Sequence, residues 1–187
     1  MADAEGPSQG KGLGRRRGAG AGSGSALSSD LTEMDLKCIE DVHEHGWQAL
    51  SVSGDQNGPG FTYSIGWPVT VNQPDVLVFG LPSELAHALL SDLFSRLKNG
   101  LKLSHGDCIA ELIKGYDCAF REIHPSRYAG HVNYSLWYCK WAGLERSTYR
   151  AMQMFWPEKG TGFFPWEDGS GDAITAAQPD HSQARCN

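Results

Sequence analysis

Hydrophobic positions recur at helical spacing in two stretches of the chain. In "LTEMDLKCIEDVHEHG" apolar residues return every three or four positions until Gly46. In "PSELAHALLSDLFSRLKNG" a Leu-rich stripe that includes Leu85 follows Ser83 and ends at Gly100. Each pattern is typical of an amphipathic helix, and the second predicts Ser83 as the helix N-cap.

Short runs of β-branched and aromatic residues, broken by Gly, Pro, Asn and Asp, predict the strands of a sheet. The first three runs are "WQALSVS", "GFTYSIGW" and "PDVLVFGL". The loop "GDQNGPG" is typical of a hairpin and predicts that the first two strands are antiparallel neighbours. The third run is apolar on both faces, as expected of a central strand. Further on, "CIAELIKGYDCAFREIHP" predicts two strands, "NYSLWYCKWAG" a short helix, and "YRAMQMFWP" a last strand.

These elements predict an α+β domain with a mainly antiparallel sheet of about five or six strands. One long helix and one or two shorter helices are expected to pack on that sheet. We assign the domain to residues 30–168. Residues 1–29 are rich in Gly, Ser and Arg and are predicted to be a disordered leader, and the polar residues 169–187 are predicted to be a flexible tail.

Composition narrows the class of protein. A chain of 187 residues with 40% hydrophobic content fits one domain, and no run approaches the roughly 20 apolar residues of a membrane-spanning helix. The N-terminus lacks the apolar region of a secretory signal, and five Cys without a close pair fit a reducing compartment. We therefore predict a cytoplasmic protein with no membrane partner.

Charge and motifs bear on partners and cofactors. The net charge of −6 argues against nucleic acid as a partner, whereas self-association into a homo-oligomer stays open. The sequence lacks a GxGxxG turn after a strand, a phosphate loop, an HExxH pair and a GxSxG elbow. We therefore expect no metal and no nucleotide cofactor, and a small molecule as the substrate.

The stretch "QMFWPEKGTGFFPW" concentrates aromatic residues near the end of the predicted domain. Gln153 is a polar group in an otherwise apolar strand and needs a partner, which is either backbone or a ligand. Glu158 follows Trp156 closely, and a carboxylate beside indole rings tends to a raised pKa that suits acid–base catalysis. The alternative for Glu158 is an ordinary solvated carboxylate at the rim of the domain.

The strand "GFTYSIGW" has one bulky and one small face. Alternation puts Tyr63 on the bulky face, and Thr62 and Ser64 on the small polar face, which could border a cavity. The alternative is that these hydroxyls form hydrogen bonds across to a neighbouring strand. Trp67 then adds an indole beside the strand.

The order of these motifs resembles the bacterial family called domain of unknown function 4262, over residues 45–168. Asp75 departs from that pattern, in which Glu commonly follows Pro, and Trp67 stands where Leu is usual. The resemblance implies a compact bacterial fold and no particular mechanism. The matching positions are His45, Gly46, Trp47, Phe61, Tyr63, Gly66, Gln153, Trp156, Pro157, Gly162, Pro165 and Trp166.

The favoured functional hypothesis is a small-molecule enzyme of specialised metabolism. It would use acid–base chemistry on an aromatic or conjugated substrate in a condensation, cyclisation or isomerisation, including the Pictet–Spengler type. The predicted catalytic residues are Glu158, His124 and Tyr63. The predicted substrate-binding residues are Ser64, Trp67, Gln153, Trp156 and Trp166.

Two alternatives remain open at this point. In the first, the same aromatic residues form the binding patch of a non-catalytic interaction module, of the inhibitor or immunity type. In the second, the strands close into an antiparallel barrel that binds flavin or haem.

Overall fold

Six strands and six helices make up the described part of the chain. The structure is a computed structural model that describes residues 31–184, so the predicted leader at residues 1–29 and the last three residues of the predicted tail lie outside it. The strands are β1 (Gln48–Val52), β2 (Phe61–Ile65), β3 (Asp75–Phe79), β4 (Cys108–Ile113), β5 (Tyr116–Glu122) and β6 (Ala151–Phe155). The helices are α1 (Glu33–His45), α2 (Trp67–Thr70), α3 (Ser83–Lys98), α4 (Tyr128–His131), α5 (Asn133–Trp141) and α6 (Asp172–Ala177). Short 3-10 turns cover Pro125–Arg127 and Arg146–Thr148.

The strands form one mixed sheet in the order β1-β2-β3-β6-β5-β4. Neighbouring strands are antiparallel except β3 and β6, which are parallel. The predicted α+β fold with a mainly antiparallel sheet is therefore confirmed. Within residues 31–184 the sheet is open, with β1 and β4 at its edges, so the closed barrel of the last alternative is not formed.

Each face of the sheet carries its own apolar core. Helix α3 covers one face, where its buried Leu90 and Leu93 pack with Val76 and Met154. Helices α1, α4 and α5 cover the other face. All five residues of β3 are buried, as predicted for a central strand covered on both sides.

The start of α3 differs from its prediction by one residue. Pro82 occupies the N-cap position and Ser83 is already helical, without a capping hydrogen bond from its side chain. Leu85 is 42% exposed because the buried stripe begins at Ala86, so its predicted burial is wrong. Proline just before a helix is readily tolerated, since its missing N–H has no intrahelical partner to lose there.

One edge of the sheet is covered. The pairing of β4 with β5 shifts register between Ile109 and Ile113, and Glu111 has a positive φ of 58°. From α3, Arg96 donates to the carbonyl oxygens of Ala110 at 2.8 Å and of Glu111 at 3.0 Å. These two features interrupt the regular hydrogen-bonding edge of β4.

The C-terminal segment, residues 169–184, packs on the sheet and includes α6. The side chain of Gln178 accepts a hydrogen bond from the Trp156 N–H at 2.9 Å and donates to the Trp156 carbonyl at 2.8 Å. Both Gln178 and His181 are buried. The folded unit therefore extends past Asp168, the end that the sequence predicts.

No helix in residues 31–184 combines the length and the apolar character that crossing a membrane requires.

Candidate functional site

A groove of about 660 Å³ opens at the carboxyl end of β3, and we call it the histidine groove. Its walls come from the β1–β2 loop, from Phe61 and Phe79, from Arg127 and His131, and from the C-terminal segment with His181. Because β3 and β6 are parallel, their carboxyl ends meet at this edge, where α/β sheets commonly bind ligands. The volume lies within the range of about 300 to 1,000 Å³ that is usual for small-molecule sites.

Four aromatic rings form one wall of the histidine groove. Phe61 pairs with Phe79 across the strands, and their ring centroids lie 5.3 Å apart. The imidazole of His181 lies 5.1 Å from Phe79, and that of His131 lies 5.5 Å from Phe61. Edge-to-face and tilted contacts of this kind stabilise aromatic clusters and leave π-faces for a planar ligand.

The two imidazoles contact each other directly. His181 Nε2 and His131 Nε2 are 2.9 Å apart, and His131 Nδ1 lies 3.1 Å from the carbonyl oxygen of Arg127. A carbonyl only accepts, so His131 Nδ1 carries a proton, and when His131 is neutral its Nε2 presents a lone pair. His181 must then donate from Nε2, which leaves its Nδ1 as a lone pair.

His181 Nδ1 makes no hydrogen bond of good geometry in residues 31–184, although the adjacent backbone of Asp180 opposes the fall in the pKa of His181. This nitrogen is buried, although His181 as a whole lines the groove. Burial lowers the pKa of His181 to about 4, and the positive charge of Arg127 acts in the same direction. At neutral pH His181 is therefore an uncharged imidazole with a free acceptor nitrogen.

Gln153 holds His181 in place. Its Nε2 donates to the carbonyl oxygen of Pro179 at 2.9 Å, and its Oε1 accepts from the His181 N–H at 3.1 Å. Of the two partners considered for this amide, backbone or ligand, the structure provides backbone. Gln153 thus contributes to the groove indirectly, because it fixes the segment that carries His181.

A second polar cluster surrounds Asp75 at the start of β3, and we call it the Asp75 centre. The fully buried carboxyl group accepts hydrogen bonds from Ser64 Oγ at 2.8 Å, from the Trp67 N–H at 3.2 Å and from Ser135 Oγ. Tyr149 donates in turn to Ser135 Oγ at 3.2 Å. Burial raises the pKa of Asp75 to about 7, although these donors act in the opposite direction. The centre ties β2, β3, α2 and α5 together.

The structure separates the residues predicted for an aromatic pocket. Tyr63 packs in the core on the α1 and α5 side of the sheet, whereas Trp67 packs in the core under α3. Ser64 belongs to the Asp75 centre. Trp156 donates from its indole nitrogen to the Phe79 carbonyl at 2.9 Å. Trp166 stacks on the ring of Phe164, and the two ring centroids lie 4.9 Å apart.

The remaining predicted residues form local contacts. Glu158 accepts a hydrogen bond from Thr161 Oγ1 at 2.8 Å within the "PEKGTG" turn. His124 accepts from the Ser126 N–H at 3.2 Å and caps the 3-10 turn that follows it. None of the eight predicted site residues lines the histidine groove.

Sequence reasoning missed the four charged or titratable residues that do line it: Asp55, Arg127, His131 and His181. Arg127 and His131 lie in "PSRYAGHVN", between two patterned elements, and His181 lies in the segment predicted to be flexible. One signal was readable: "QPDH" places Gln178 and His181 around a proline, in an otherwise small-residue tail. Polar groups of this size in a tail are often fixed by backbone hydrogen bonds.

The fold and the groove together define an α+β domain with a site of small-molecule size. In a comparison with protein families, residues 41–171 match the family described as Domain of unknown function (DUF4262). The match covers well over half of the chain, so the protein belongs to this family, as the motifs predict. The matched region includes Asp75, Arg127 and His131 and ends before His181. Comparisons with curated proteins and with solved structures gave no match.

Proposed function

We propose that the protein is a small-molecule enzyme that performs acid–base chemistry in the histidine groove. Its substrate is aromatic or conjugated, and the reaction is a condensation, cyclisation or isomerisation. The observation that carries the proposal is the contact between His131 and His181 on the aromatic wall of a groove of ligand size. Proton transfer by a positioned histidine contributes about 10²- to 10⁴-fold to rates.

The hydrogen bonds of the pair give each imidazole a distinct role. His181 offers the lone pair of Nδ1 as the base, and its Nε2–H already points to His131. When Nδ1 takes a proton from the substrate, the Nε2 proton can pass to His131, which the Arg127 carbonyl orients. The pair thus spreads the positive charge over two rings, and the return of the proton completes an isomerisation or a condensation.

Burial affects this chemistry in two ways. It keeps His181 in the base form at neutral pH, because its pKa lies near 4. It also closes Nδ1 off from solvent in the free protein, so the proposed reaction requires the ring to turn toward the groove when the substrate binds.

The proposal assigns the protein to the cytosol. Cys38, Cys118 and Cys139 are buried free thiols and Cys108 is an exposed one. An exposed free thiol persists in a reducing compartment.

Turnover of candidate substrates tests the proposal. Purified protein is incubated with pairs of aromatic amines and aldehydes and with conjugated ketones, and products are followed by liquid chromatography and mass spectrometry. We expect His181→Gln to lower turnover by about 100-fold or more, because the base is lost. The matched control is His45→Gln, since His45 is exposed at the end of α1 and does not line the groove. Equal turnover by His181→Gln and the unmodified chain would refute the role of His181.

A measurement without substrate tests the same chemistry. Nitrogen-15 NMR of the imidazoles at pH 7 should find His131 protonated on Nδ1 alone and His181 protonated on Nε2 alone. A proton on His181 Nδ1 at this pH would remove the proposed base.

A further inference from the structure

Arg127 brings a positive charge to the histidine groove beside the two imidazoles. It ends the 3-10 turn Pro125–Arg127, and its carbonyl oxygen accepts from His131 Nδ1. Its Nε donates to the carbonyl oxygen of Gln183 at 3.3 Å, which ties the guanidinium to the C-terminal segment. The backbone of Arg127 is thus tied to His131, and its side chain is tied to the C-terminal segment.

The terminal nitrogens of Arg127 remain available. Within residues 31–184 they form no hydrogen bond, and no carboxylate lies within ion-pair distance of them. A guanidinium presents two parallel N–H donors that match the two oxygens of a carboxylate. An unpaired, half-buried arginine on the wall of a groove thus favours an anionic ligand.

The acidic residue of the groove is already engaged. Asp55 lies on the β1–β2 loop, where it accepts from the Asn57 N–H at 2.7 Å and from Asn57 Nδ2 at 3.1 Å. These hydrogen bonds, first of all the one from the backbone of Asn57, lower the pKa of Asp55 and keep it ionised. The groove therefore attracts an anion at Arg127 and repels it from the loop, so a ligand with one carboxylate has a preferred orientation.

We infer that the histidine groove takes a planar aromatic or conjugated carboxylate, with its carboxylate on Arg127 and its ring against Phe61. The inference rests on the proposed function and names the substrate class of the same site. Phe61 is half-buried, whereas Phe79 beneath it is almost fully buried, so Phe61 offers the accessible π-face. An edge contact or offset stack on such a ring stabilises a planar ligand.

The bound carboxylate would also act on the base. Burial is the main cause of the low pKa of His181, and the positive charge of Arg127 adds to it. A carboxylate on Arg127 offsets part of that positive charge, so His181 becomes a stronger base only when substrate is present. A groove that favours a carboxylate thus couples binding to proton transfer.

Three probes with the same naphthalene ring and different charge test the inference: 2-naphthoate, 2-naphthamide and 2-naphthylmethylamine. Binding to the full chain is measured by calorimetry and by amide NMR shifts. We expect naphthoate to bind at least tenfold more tightly than the amide, and the amine to bind more weakly still. Arg127→Gln should weaken the binding of naphthoate by about tenfold or more, because a charge-assisted pair is lost. The binding of the amide should stay unchanged.

Two further variants control for folding and for general charge. Arg127→Lys keeps the positive charge but loses the two parallel N–H donors of the guanidinium. Its affinity for naphthoate should lie between that of Arg127→Gln and that of the unmodified chain. Arg146→Gln removes an exposed arginine that does not line the groove, and this variant should bind naphthoate with the affinity of the unmodified chain. Amide NMR spectra show whether each variant keeps the native fold.

The outcomes separate this inference from the proposed function. Naphthoate binding that depends on Arg127, with no turnover of any substrate, would support the carboxylate site and count against the enzyme. Tighter binding of the amide or the amine than of naphthoate would refute the inference that the groove takes a carboxylate. It would not affect the proposed acid–base role of His131 and His181. Naphthoate binding that Arg127→Gln does not weaken, or no binding by any probe, would also overturn the inference.

Discussion

The Asp75 centre and the histidine groove lie at opposite ends of β3, and each holds a buried titratable group with a displaced pKa. Asp75 has a pKa raised to about 7, and His181 has a pKa lowered to about 4. The oxygens of Asp75 are occupied by donors from Ser64, Trp67 and Ser135. In contrast, His181 Nδ1 has no partner in the described residues, and a groove lies beside the ring.

A displaced pKa alone does not distinguish these two groups. Both groups would attract attention as functional candidates on their pKa alone. A group whose hydrogen-bonding positions are all filled by its own fold is a structural element, whereas an unfilled position beside a void can meet a ligand. Substitutions in the two regions should therefore differ in their effect on stability.

Removal of the Asp75 carboxyl group should cost the most stability. Asp75→Ala leaves buried donors on Ser64, Ser135 and Trp67 without an acceptor, at a cost of about 1 to 3 kcal/mol for each unsatisfied group. We expect the free energy of unfolding, measured in urea, to fall by about 3 to 5 kcal/mol. Asp117→Ala, on the exposed side of β5, is the control and should change it by less than about 0.5 kcal/mol. A loss below about 1 kcal/mol for Asp75→Ala would contradict a structural role.

The turn beside Asp75 gives a second, smaller test. Gly66 has a φ of 104°, and a Cβ there would lie 2.7 Å from Val42 Cγ1. Gly66→Ala combines backbone strain with this overlap, so we expect it to cost about 2 to 3 kcal/mol. Gly115→Ala is a matched control, because Gly115 has a φ of 79° and open space around it. Thermal and urea unfolding should show that Gly115→Ala lowers the free energy of unfolding by about 1 kcal/mol. Equal losses at Gly66 and Gly115 would mean that the overlap with Val42 has no effect.

Loosening the histidine groove should cost less than opening the Asp75 centre. Gln178→Ala removes two hydrogen bonds that hold the C-terminal segment to Trp156, with an expected loss of about 1 to 2 kcal/mol. Hydrogen exchange of the His181 amide should also become faster, because the segment opens locally. Gln183→Ala serves as the control, since the exposed Gln183 contributes only its carbonyl to Arg127. Unchanged exchange in Gln178→Ala would show that Gln178 does not hold the segment.

The two groups should shift stability with pH in opposite directions. Between pH 6.5 and 4 the unfolded chain protonates His181 while the folded chain does not, so His181 lowers stability as pH falls. Between pH 3.8 and 7 the folded chain keeps the Asp75 proton that the unfolded chain loses, so Asp75 lowers stability as pH rises. In the shared window from pH 4 to 6.5 the two slopes offset each other.

His181→Gln should reveal the slope of Asp75. Unfolding free energy of this variant, measured in urea at pH 4.5, 5.5 and 6.5, should fall with rising pH more steeply than that of the unmodified chain. The difference should stay below about 1.4 kcal/mol per pH unit, the limit for one titrating group. Parallel curves for the two chains would show that His181 has an ordinary pKa in the fold.

The sequence predicts the elements of this fold well because their patterns are local. The apolar run "VLVF" is sufficient to make β3 a central strand, and the hairpin loop is sufficient to pair β1 with β2. It also predicts that Gln153 needs a partner, although not that residues more than 20 positions later provide it. Hydrophobic periodicity indicates which residues are buried. It does not indicate which distant residues come together at a given end of the sheet.

The candidate site was harder to predict for the same reason. His131 and His181 are 50 residues apart in the chain, and neither lies in a periodic element that would orient it. Aromatic density instead drew attention to Trp156 and Trp166. The structure uses Trp156 to bond the Phe79 carbonyl and stacks Trp166 under Arg121, whose guanidinium carbon lies 3.5 Å from the ring centre. Indoles with such partners stabilise the domain near the groove without entering it.

The contact of Arg96 with the outer strand has a consequence for how the protein behaves in a crowded solution. With the carbonyls of Ala110 and Glu111 already bonded to a guanidinium, a neighbouring molecule finds no regular ladder to extend on that flank. Edge-to-edge addition of a strand from another molecule, the first step of fibril growth, is thereby disfavoured at β4, the edge strand that lies farthest from β1 in the sheet.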